Sequence, residues 1–401
     1  MKKLLIIGYV WPEPNSSAAG SRMMQLINFF QQQDYQITFT SPAQRTEHMV
    51  VLSDFQINCV DIKLNCSSFD DFVEQLQPDV VMFDRFMMEE QFGWRISEQC
   101  PQALKILDTE DLFCLRHARH NAYKQQRKMT DADLLSSDLA QREVAAIFRC
   151  DLSLMISPKE VALLEKLFKV DANLLHFCPL LYGQNDFSLN NPDFDQRDGF
   201  ISIGNFRHAP NWDAVLWLKQ QIWPLIRAQL PQAKLSIYGA YPPPKATALH
   251  DEKSGFLVKG WVDDALLAMQ SARVCLAPLR FGAGIKGKLA EAMLCATPSV
   301  TTGIGIEGME SELGWPGIVA DNTQAFADAA VRLYQEKAIW QQQSALGPKN
   351  AALLFEKNKH FVSLAAHIAT LSSTLLQHRQ QNFIGAMLNH HHHKSTKYMA
   401  Q

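Results

Sequence analysis

The chain lacks the sequence patterns of several large protein classes. No apolar run in its 401 residues is long enough to span a membrane. Its eight cysteines include no C-x-x-C pair and no paired Cys/His spacing, which favours reduced thiols over disulfides or a structural zinc site. A net charge of −3 gives no sign of a nucleic-acid partner. These absences predict a soluble cytoplasmic protein.

The N-terminus begins like a secretory signal but has too short an apolar run to be one. After two lysines, that run passes into the turn formers Gly8, Pro12 and Pro14 rather than into a cleavage site of small residues. We therefore predict a buried first strand. With 47% hydrophobic and 20% charged residues, a chain of 401 residues is expected to form two globular domains.

The first half alternates short apolar runs with amphipathic stretches. The spacing of Met23, Ile27 and Phe30 predicts a helix over residues 21–33. Such alternation predicts a parallel sheet with helices on both faces. The predicted strands are residues 3–7, 36–40, 80–83, 104–107 and 152–156.

A polar segment rich in turn formers, residues 179–199, separates this half from a second α/β half. The predicted strands of the second half are residues 200–204, 234–238, 256–258, 274–277, 299–302 and 318–320, and its helices are residues 211–230, 324–346 and 361–378. We place an N-terminal domain at 1–185, a C-terminal domain at 186–365, a helix returning toward the first domain at 366–385, and a disordered tail at 386–401. The four histidines at 390–393 fit a tail better than a metal site.

A glycine-rich segment between two predicted strands, residues 279–288 (the glycine loop), is the most informative feature. It carries three glycines and two lysines: Gly282, Gly284, Gly287, Lys286 and Lys288. Glycines let backbone N–H groups approach an anion at a helix N-terminus. Glu291 follows inside the helix, where a carboxylate can accept two hydrogen bonds from a ribose diol. The loop therefore predicts a phosphate or nucleotide site, with an ordinary tight turn and solvated lysines as the alternative.

Two further loops follow predicted strands and could face the same ligand. Gly204 and Arg207 come after the first strand of the second half, where a guanidinium could clamp a diphosphate. Gly20 belongs to a run of small residues before the first helix, which also suits an approaching anion. An ordinary loop arginine and a plain helix cap are the alternatives.

Carboxylates end another predicted strand of the first half. Asp108, Glu110 and Asp111 follow residues 104–107. Because they stand at the carboxyl end of a strand, we predict that Glu110 and Asp111 position or deprotonate an acceptor hydroxyl. Capping of the next helix by the same carboxylates remains open.

Seven segments of the second half occur in an order typical of one family: FISIGN, HAPNWDA, LSIYG, GWVD, PLRFGAGIKGK, EAM and GIEG. They are spread over residues 200–310 and resemble the retaining GT-B glycosyltransferases of the group 1 family, which use nucleotide-sugar donors. The first half matches only through its opening strand, glycine-containing turn and helix. This resemblance implies an α/β protein of GT-B architecture, with two Rossmann-like α/β/α domains that face a central cleft.

The resemblance also implies roles for matching residues. Glu291 matches the glutamate that holds the donor ribose, and Arg207 is a candidate for the basic residue that binds the diphosphate and stabilises the leaving group. Trp261 and Val262 lie in the segment that matches the surroundings of the base. The turn whose amides face the donor comprises Gly282, Ala283, Gly284 and Ile285. Lys286 and Lys288, which are this chain's own addition to that turn, can substitute as phosphate ligands.

Two positions depart from the family pattern. Many members carry a second glutamate eight residues before the first, which contacts the donor sugar, and here that position is Ala283. The family also favours glycine after the helix, where the chain turns left-handed, and here Ala296 stands there. The first departure leaves the choice of sugar open. The second predicts a local cost or an altered helix cap.

The resemblance implies transfer of a sugar from a nucleotide diphosphate sugar to an acceptor hydroxyl, with retention and without cofactor or metal ion. UDP- and GDP-sugars are the donors that we expect first. The expected acceptor is a glycan, a lipid-linked acceptor or a protein, in polysaccharide or glycoconjugate biosynthesis. Peripheral association with the inner face of the membrane is left open. A nucleotide-sugar epimerase and a non-catalytic sugar-nucleotide-binding scaffold are the alternatives.

Overall fold

The computed structural model describes residues 1–391, which form two parallel β-sheets covered by helices. Every pair of neighbouring strands in the two sheets is parallel. Parallel strands joined through helices are buried on both faces, which explains why apolar residues outnumber polar ones in most of them. The eight cysteines are free thiols, six of them buried. No helix within residues 1–391 has the length and apolar character needed to cross a bilayer.

The first sheet has seven strands in the order β3-β2-β1-β4-β5-β6-β7. Its strands are β1 (Lys2–Ile7), β2 (Tyr35–Ser41), β3 (Asn58–Asp61), β4 (Val80–Asp84), β5 (Leu104–Asp108), β6 (Leu152–Met155) and β7 (Leu175–Phe177). Its helices are α1 (Ala18–Gln32), α2 (Ser68–Leu76), α3 (Phe86–Gln99), α4 (Phe113–Lys124), α5 (Asp131–Leu135), α6 (Asp138–Arg149) and α7 (Pro158–Leu167).

The second sheet has six strands in the order β10-β9-β8-β11-β12-β13. Its strands are β8 (Phe200–Ile203), β9 (Leu235–Tyr238), β10 (Phe256–Gly260), β11 (Val274–Ala277), β12 (Ser299–Thr301) and β13 (Gly317–Val319). The helices of this half and of the C-terminus are α8 (Ala209–Trp217), α9 (Trp223–Gln229), α10 (Pro244–Thr247), α11 (Ala265–Ser271), α12 (Gly287–Leu294), α13 (Gly303–Ile306), α14 (Thr323–Gln335), α15 (Lys337–Phe355), α16 (Lys357–Gln381) and α17 (Phe383–His390).

Both sheets reverse their strand order at the same relative place. In the first sheet β1 lies between β2 and β4, and in the second β8 lies between β9 and β11. At such a point the loops leaving neighbouring strands diverge and open a crevice at the carboxyl ends. Each domain therefore offers one crevice.

The predicted strands are all present, and two short strands were missed. β3 is a half-exposed edge strand with asparagine and aspartate at its ends, and β7 has only three residues. The predicted helix over 211–230 is interrupted by a π-helical turn, Leu218–Ile222, before Pro224. Proline has no N–H to donate to the preceding turn, and the wider turn accommodates that loss. The predicted helix over 324–346 is two helices, because the chain leaves helical geometry at Glu336.

The C-terminal helix α16 leaves the second domain and packs on the first. Phe361 meets Phe29 edge-on with ring centroids 5.0 Å apart, and Arg379 donates two hydrogen bonds of 2.7 Å to Asp151. The expectation of an irregular tail from residue 386 is wrong for residues 386–390, which belong to α17. Residues 392–401, including two of the four histidines, lie outside the described residues.

The end of α12 adopts the left-handed turn that the sequence predicted. Ala296 follows the helix with a φ of 49°, and its N–H donates to the carbonyl of Met293. A Cβ makes this conformation about 1–2 kcal/mol less favourable than it is for glycine. Ala296 therefore holds a conformation that glycine adopts more readily, at a local cost in stability.

Candidate functional site

A cleft of about 1070 Å³ lies where the two domains face each other. Ligand pockets typically measure about 300–1,000 Å³, so the cleft can hold a substrate larger than one nucleotide. Of the fourteen residues predicted to bind the donor or to take part in catalysis, thirteen line the cleft: Gly20, Glu110, Asp111, Gly204, Arg207, Trp261, Val262, Gly282, Ala283, Ile285, Lys286, Lys288 and Glu291. Gly284 does not line the cleft and lies against the first domain.

Two helix N-termini meet across the cleft. A Cβ added to Gly287, the first residue of α12, would lie 2.5 Å from the Cβ of Ala18, the first residue of α1. Gly20 allows the preceding loop to fold tightly over α1, since a Cβ there would lie 2.3 Å from the carbonyl oxygen of Glu13. Free N–H groups and the helix dipole make each N-terminus attractive to anions. Their convergence gives the cleft a positive centre contributed by both domains.

Lys288 stands beside these N-termini. Its ammonium donates to Oδ1 of Asn211 at 2.8 Å, and a Cβ at Gly204 would lie 2.7 Å from its Nζ. Burial lowers the pKa of Lys288 to about 8, and the carboxylate of Glu291 acts in the opposite direction. Because residue 204 is a glycine, the Lys288 ammonium can lie close to the backbone at that position.

The side chain of Lys286 points back at the glycine loop. Its Nζ donates to the carbonyl oxygen of Gly284 at 2.5 Å, and its side chain is buried. Burial lowers the pKa of Lys286 to about 8, while Glu307 and Glu160 favour its charged form. The structure thus gives this lysine a role in holding the loop, besides its place on the wall of the cleft.

Glu291 presents an unengaged carboxylate from the second turn of α12. No hydrogen bond or salt bridge from another described residue reaches its side chain, although burial raises the pKa of its carboxyl. Polar groups that are half-buried beside a cleft and unpaired are candidates to bind a ligand. Two free oxygens on one carboxylate match the spacing of a vicinal diol.

Ala283 lies where the family often has a glutamate. Only 7% of its surface is exposed, and it belongs to the apolar cluster of the first domain that includes Leu112 and Met155. A longer acidic side chain would have to leave these apolar surroundings. Alanine in place of the family's glutamate therefore fits the apolar contact between the two domains at this position.

An arginine–carboxylate cluster underlies the first-domain wall of the cleft. Arg22 and Asp108 form a fully buried ion pair, and Arg85 pairs with Asp84 at 3.3 Å. Glu110 lies close to both pairs. Its φ is 59°, an uncommon conformation for a residue other than glycine. Burial raises the pKa of Glu110 to about 8, and Asp108 adds to the effect. At neutral pH this group is therefore largely a neutral acid.

Arg116 and His208 also line the cleft, although the sequence did not predict this. Arg116 pairs with Asp111 at 2.9 Å. Burial, together with this guanidinium, lowers the pKa of His208 to about 4, so that its imidazole is neutral. Both residues are close in sequence to predicted site residues. Their places in the cleft depend on how the two domains approach each other, which local sequence does not encode.

Two aromatic residues of the second domain, Tyr241 and Trp261, line the cleft. The Arg207 guanidinium lies 3.5 Å from the ring centroid of Tyr241, whose hydroxyl donates to Glu13 at 2.7 Å. Trp261 stacks on His48, with centroids 4.7 Å apart and planes inclined by 15°. Arg207 is exposed here, on the rim rather than at the positive centre.

Within residues 1–391, no group of three or more His, Cys, Asp or Glu side chains is arranged to hold a metal ion.

Comparison with known proteins agrees with this geometry. Residues 197–336 match the family Glycosyl transferases group 1, which confirms the resemblance for the second domain. The fold is similar to that of sucrose-phosphate synthase from Thermosynechococcus elongatus (TM-score 0.67, 16% identity, 93% of this chain and 100% of that chain covered). It is also similar to Anabaena HepE solved with UDP-glucose (0.64, 13%, 92% and 100%) and to S. aureus TarM solved with fondaparinux, α-GlcNAc-glycerol and UDP (0.68, 10%, 92% and 99%).

No curated protein matches the chain in sequence. The fold is nevertheless the GT-B fold that the sequence predicted, with two parallel-sheet domains. The family match of the second domain and the fold of the whole chain support a glycosyltransferase of GT-B type.

Proposed function

We propose that the protein transfers a sugar from a UDP-sugar to an acceptor hydroxyl with retention of the anomeric configuration. The observation that carries this proposal is the convergence of two helix N-termini, the Lys288 ammonium and the unengaged Glu291 carboxylate in one cleft. A diphosphate needs the positive groups, and a ribose diol needs the carboxylate. A nucleotide diphosphate sugar supplies both parts in one molecule.

The donor would lie mainly on the second domain. Its diphosphate would face the N-terminus of α12 and Lys288, its ribose Glu291, and its base the segment with Trp261 and Val262. The N-terminus of α1 would complete the diphosphate site from the opposite side. UDP is preferred to GDP because HepE and TarM, which share the fold, were solved with UDP or UDP-glucose.

The reaction breaks the bond between the anomeric carbon and the β-phosphate oxygen and forms a bond from that carbon to the acceptor oxygen on the same face. The acceptor proton passes to the departing phosphate, so no protein base is required. The enzyme's main task is to stabilise the developing negative charge, which is what preorganised N–H groups and an ammonium do. Retention rests on the resemblance of the second domain to its family.

The acceptor would enter from the first domain. Glu110, largely protonated at neutral pH, and Asp111, held by Arg116, face the cleft there and can hydrogen-bond a hydroxyl. We propose a glycan or lipid-linked acceptor in polysaccharide or glycoconjugate biosynthesis. A cytoplasmic location, with peripheral contact at the inner face of the membrane, fits such an acceptor.

One observation favours a second function, a non-catalytic subunit that binds sugar nucleotides. Ala283 replaces a glutamate that contacts the donor sugar in many family members, and the loss of such a contact could leave binding without turnover. Assays of donor hydrolysis and of transfer separate the two functions. Stabilisation by a donor with no turnover on any glycan or lipid acceptor would favour the binding subunit.

A thermal-stability screen with UDP-, GDP-, ADP- and dTDP-sugars tests the proposed function. A ligand at 100 times its Kd stabilises the folded state by about 2.7 kcal/mol, which is easily detected. We expect UDP-sugars to raise the melting temperature most. The variant Glu291→Ala should lose this response, and a wild-type protein that responds to no sugar nucleotide would contradict the proposal.

Donor affinity should fall as the pH rises above about 8. Burial has lowered the pKa of Lys288 and of Lys286 to about 8, so both ammonium groups lose their protons well below the usual range for lysine. A diphosphate is bound best by the charged forms, and losing one charge-assisted hydrogen bond costs about 1.5–3 kcal/mol. We expect the Kd for UDP to rise about tenfold between pH 7 and pH 9.5, the equivalent of about 1.4 kcal/mol.

The matched variant is Lys288→Met, which should bind UDP weakly at both pH values and show a flatter pH profile. Circular dichroism at pH 9.5 controls for unfolding. An unchanged Kd in the folded wild-type protein across this range would contradict a role for the two lysines.

A further inference from the structure

The tip of the glycine loop is held by side chains of the opposite domain. Arg119 of α4 donates to the carbonyl oxygen of Gly282 at 2.8 Å, and Glu160 of α7 accepts from the N–H of Gly284 at 2.7 Å. His120 stacks on Phe281 of the same loop, with centroids 4.3 Å apart and planes inclined by 10°. The loop is therefore shaped by the first domain as well as by its own sequence.

The two hydrogen bonds fix the peptide units on both sides of Ala283. In a trans peptide the C=O and the following N–H point in opposite directions. The carbonyl of Gly282 points at Arg119, so the N–H of Ala283 points away from it. The N–H of Gly284 points at Glu160, so the carbonyl of Ala283 points away from that carboxyl group.

Ala283 consequently offers a free backbone donor and a free acceptor. Neither its N–H nor its carbonyl oxygen makes a hydrogen bond with any described residue, and the residue lines the cleft. Buried backbone groups are nearly always hydrogen-bonded to protein or water, so an unpaired N–H and C=O beside a cleft are open to water or to a bound ligand. A sugar hydroxyl can accept from the first and donate to the second.

We propose, on the basis of the proposed donor site, that Arg119 and Glu160 are positioning residues that direct the backbone N–H and C=O of Ala283 at the sugar end of the donor. Their effect requires the two domains to be in contact, since both side chains come from the first domain. Gly284 also contributes to this contact between the loop and the first domain. Its φ is 63°, and a Cβ there would lie 2.8 Å from the Cβ of Asp111.

The surroundings of Glu160 support this role. Glu160 is 1% exposed, and it also accepts from the N–H of Leu112 at 3.2 Å. Burial and the nearby Asp111 raise the pKa of Glu160 to about 8, with Lys286 acting in the opposite direction. Near neutral pH its neutral form accepts from Gly284 as the oxygen of a glutamine side chain would. The amide variant is therefore a close structural substitute.

Four variants test the proposal. Glu160→Met and Arg119→Met remove the two hydrogen bonds. Glu160→Gln keeps the acceptor oxygen. Glu307→Gln removes the bidentate salt bridge of Arg119, at 2.6 and 2.8 Å, and leaves its bond to Gly282.

Steady-state kinetics with the UDP-sugar selected by the stability screen, and titration with UDP, form the first measurement. We expect kcat/KM to fall about 10- to 100-fold in both methionine variants, the equivalent of one to two lost hydrogen bonds in the site. The Kd for UDP, which has no sugar, should change less than about threefold. The Glu160→Gln and Glu307→Gln variants should stay within about threefold of wild type in both quantities. Unchanged kcat/KM in both methionine variants, or equal losses for sugar donor and UDP, would overturn the proposal.

Hydrogen exchange of the ligand-free protein separates this proposal from the proposed function. Peptides covering residues 279–288 should exchange faster in the Glu160→Met and Arg119→Met variants and at the wild-type rate in Glu160→Gln. Wild-type exchange in both methionine variants overturns the positioning role, whether or not the enzyme turns over. If UDP-sugars do not stabilise the wild-type protein but both methionine variants exchange faster, the proposed donor site is rejected. The positioning of the loop by Arg119 and Glu160 would then still stand.

Discussion

Replacing Glu291 with alanine should lower kcat/KM for the donor by about 100-fold, equivalent to about 2.7 kcal/mol of binding and transition-state stabilisation. The physical reason is that the carboxylate is half-buried beside the cleft and meets no hydrogen-bond donor among the described residues, so its two oxygens are available for the ribose hydroxyls. Each hydrogen bond to a charged group contributes about 1.5–3 kcal/mol. Titration with UDP and with a UDP-sugar, followed by initial rates, measures the effect.

The same substitution should not destabilise the protein. A half-buried carboxylate that accepts no hydrogen bond from the described residues is a cost to folding, and burial raises its pKa for the same reason. We therefore expect Glu291→Ala to melt at the wild-type temperature or above it in the absence of ligand. Loss of donor affinity together with a lowered melting temperature would point to a structural role instead. Glu252→Ala, on a side chain that is 86% exposed, is the matched control and should leave both quantities unchanged.

The second large effect is expected on stability, from Arg22→Met. The Arg22 guanidinium is fully buried, and it donates to Oδ1 of Asp108 at 2.9 and 3.0 Å and to the carbonyls of Cys178 and Pro179 at 2.6 and 2.9 Å. Removing it leaves a carboxylate and two carbonyls buried without donors. Breaking such a pair on one side costs about 3–5 kcal/mol. Urea unfolding of the protein should show that loss.

Two variants control this prediction. Arg22→Lys keeps the charge but cannot span three acceptors in one plane, so an intermediate loss is expected. Arg45→Met removes the exposed pair of Arg45 with Asp61 and the contact of its guanidinium with the Trp11 ring, 4.4 Å from the ring centroid, and should cost about 1 kcal/mol. An Arg22→Met protein as stable as the Arg45→Met protein would show that the buried pair contributes nothing net, as happens when desolvation offsets the attraction.

The positions of strands and of the glycine loop were accessible from the sequence because they depend on local pattern. Buried parallel strands must be apolar on both faces, and an anion site at a helix N-terminus needs glycine and a cation within a few residues. Glu291 was identified for the same reason, since its distance from the loop is fixed by one helix. The strands β3 and β7 were missed because they are short and only partly apolar.

The groups that share the cleft with the loop could not be placed in the same way. Arg116, Arg119 and Glu160 belong to the first domain and His208 to the second, so their distances to the loop and to one another depend on how the domains meet. The direction of a side chain is equally hard to predict within the loop. The sequence position of Lys286 suggested a phosphate ligand, but in the structure its ammonium donates to the carbonyl of Gly284.

The sequence alone determined two α/β domains, the helix N-terminus that forms the anion site, and the carboxylate one turn beyond it. These depend on hydrophobic period and on residues close together in the chain. Only the tertiary structure decided that a second helix N-terminus meets the first, that Ala283 packs on the opposite domain, and that Arg119 and Glu160 hold the loop. Such contacts join residues more than 100 positions apart, and their geometry follows from the packing of whole domains.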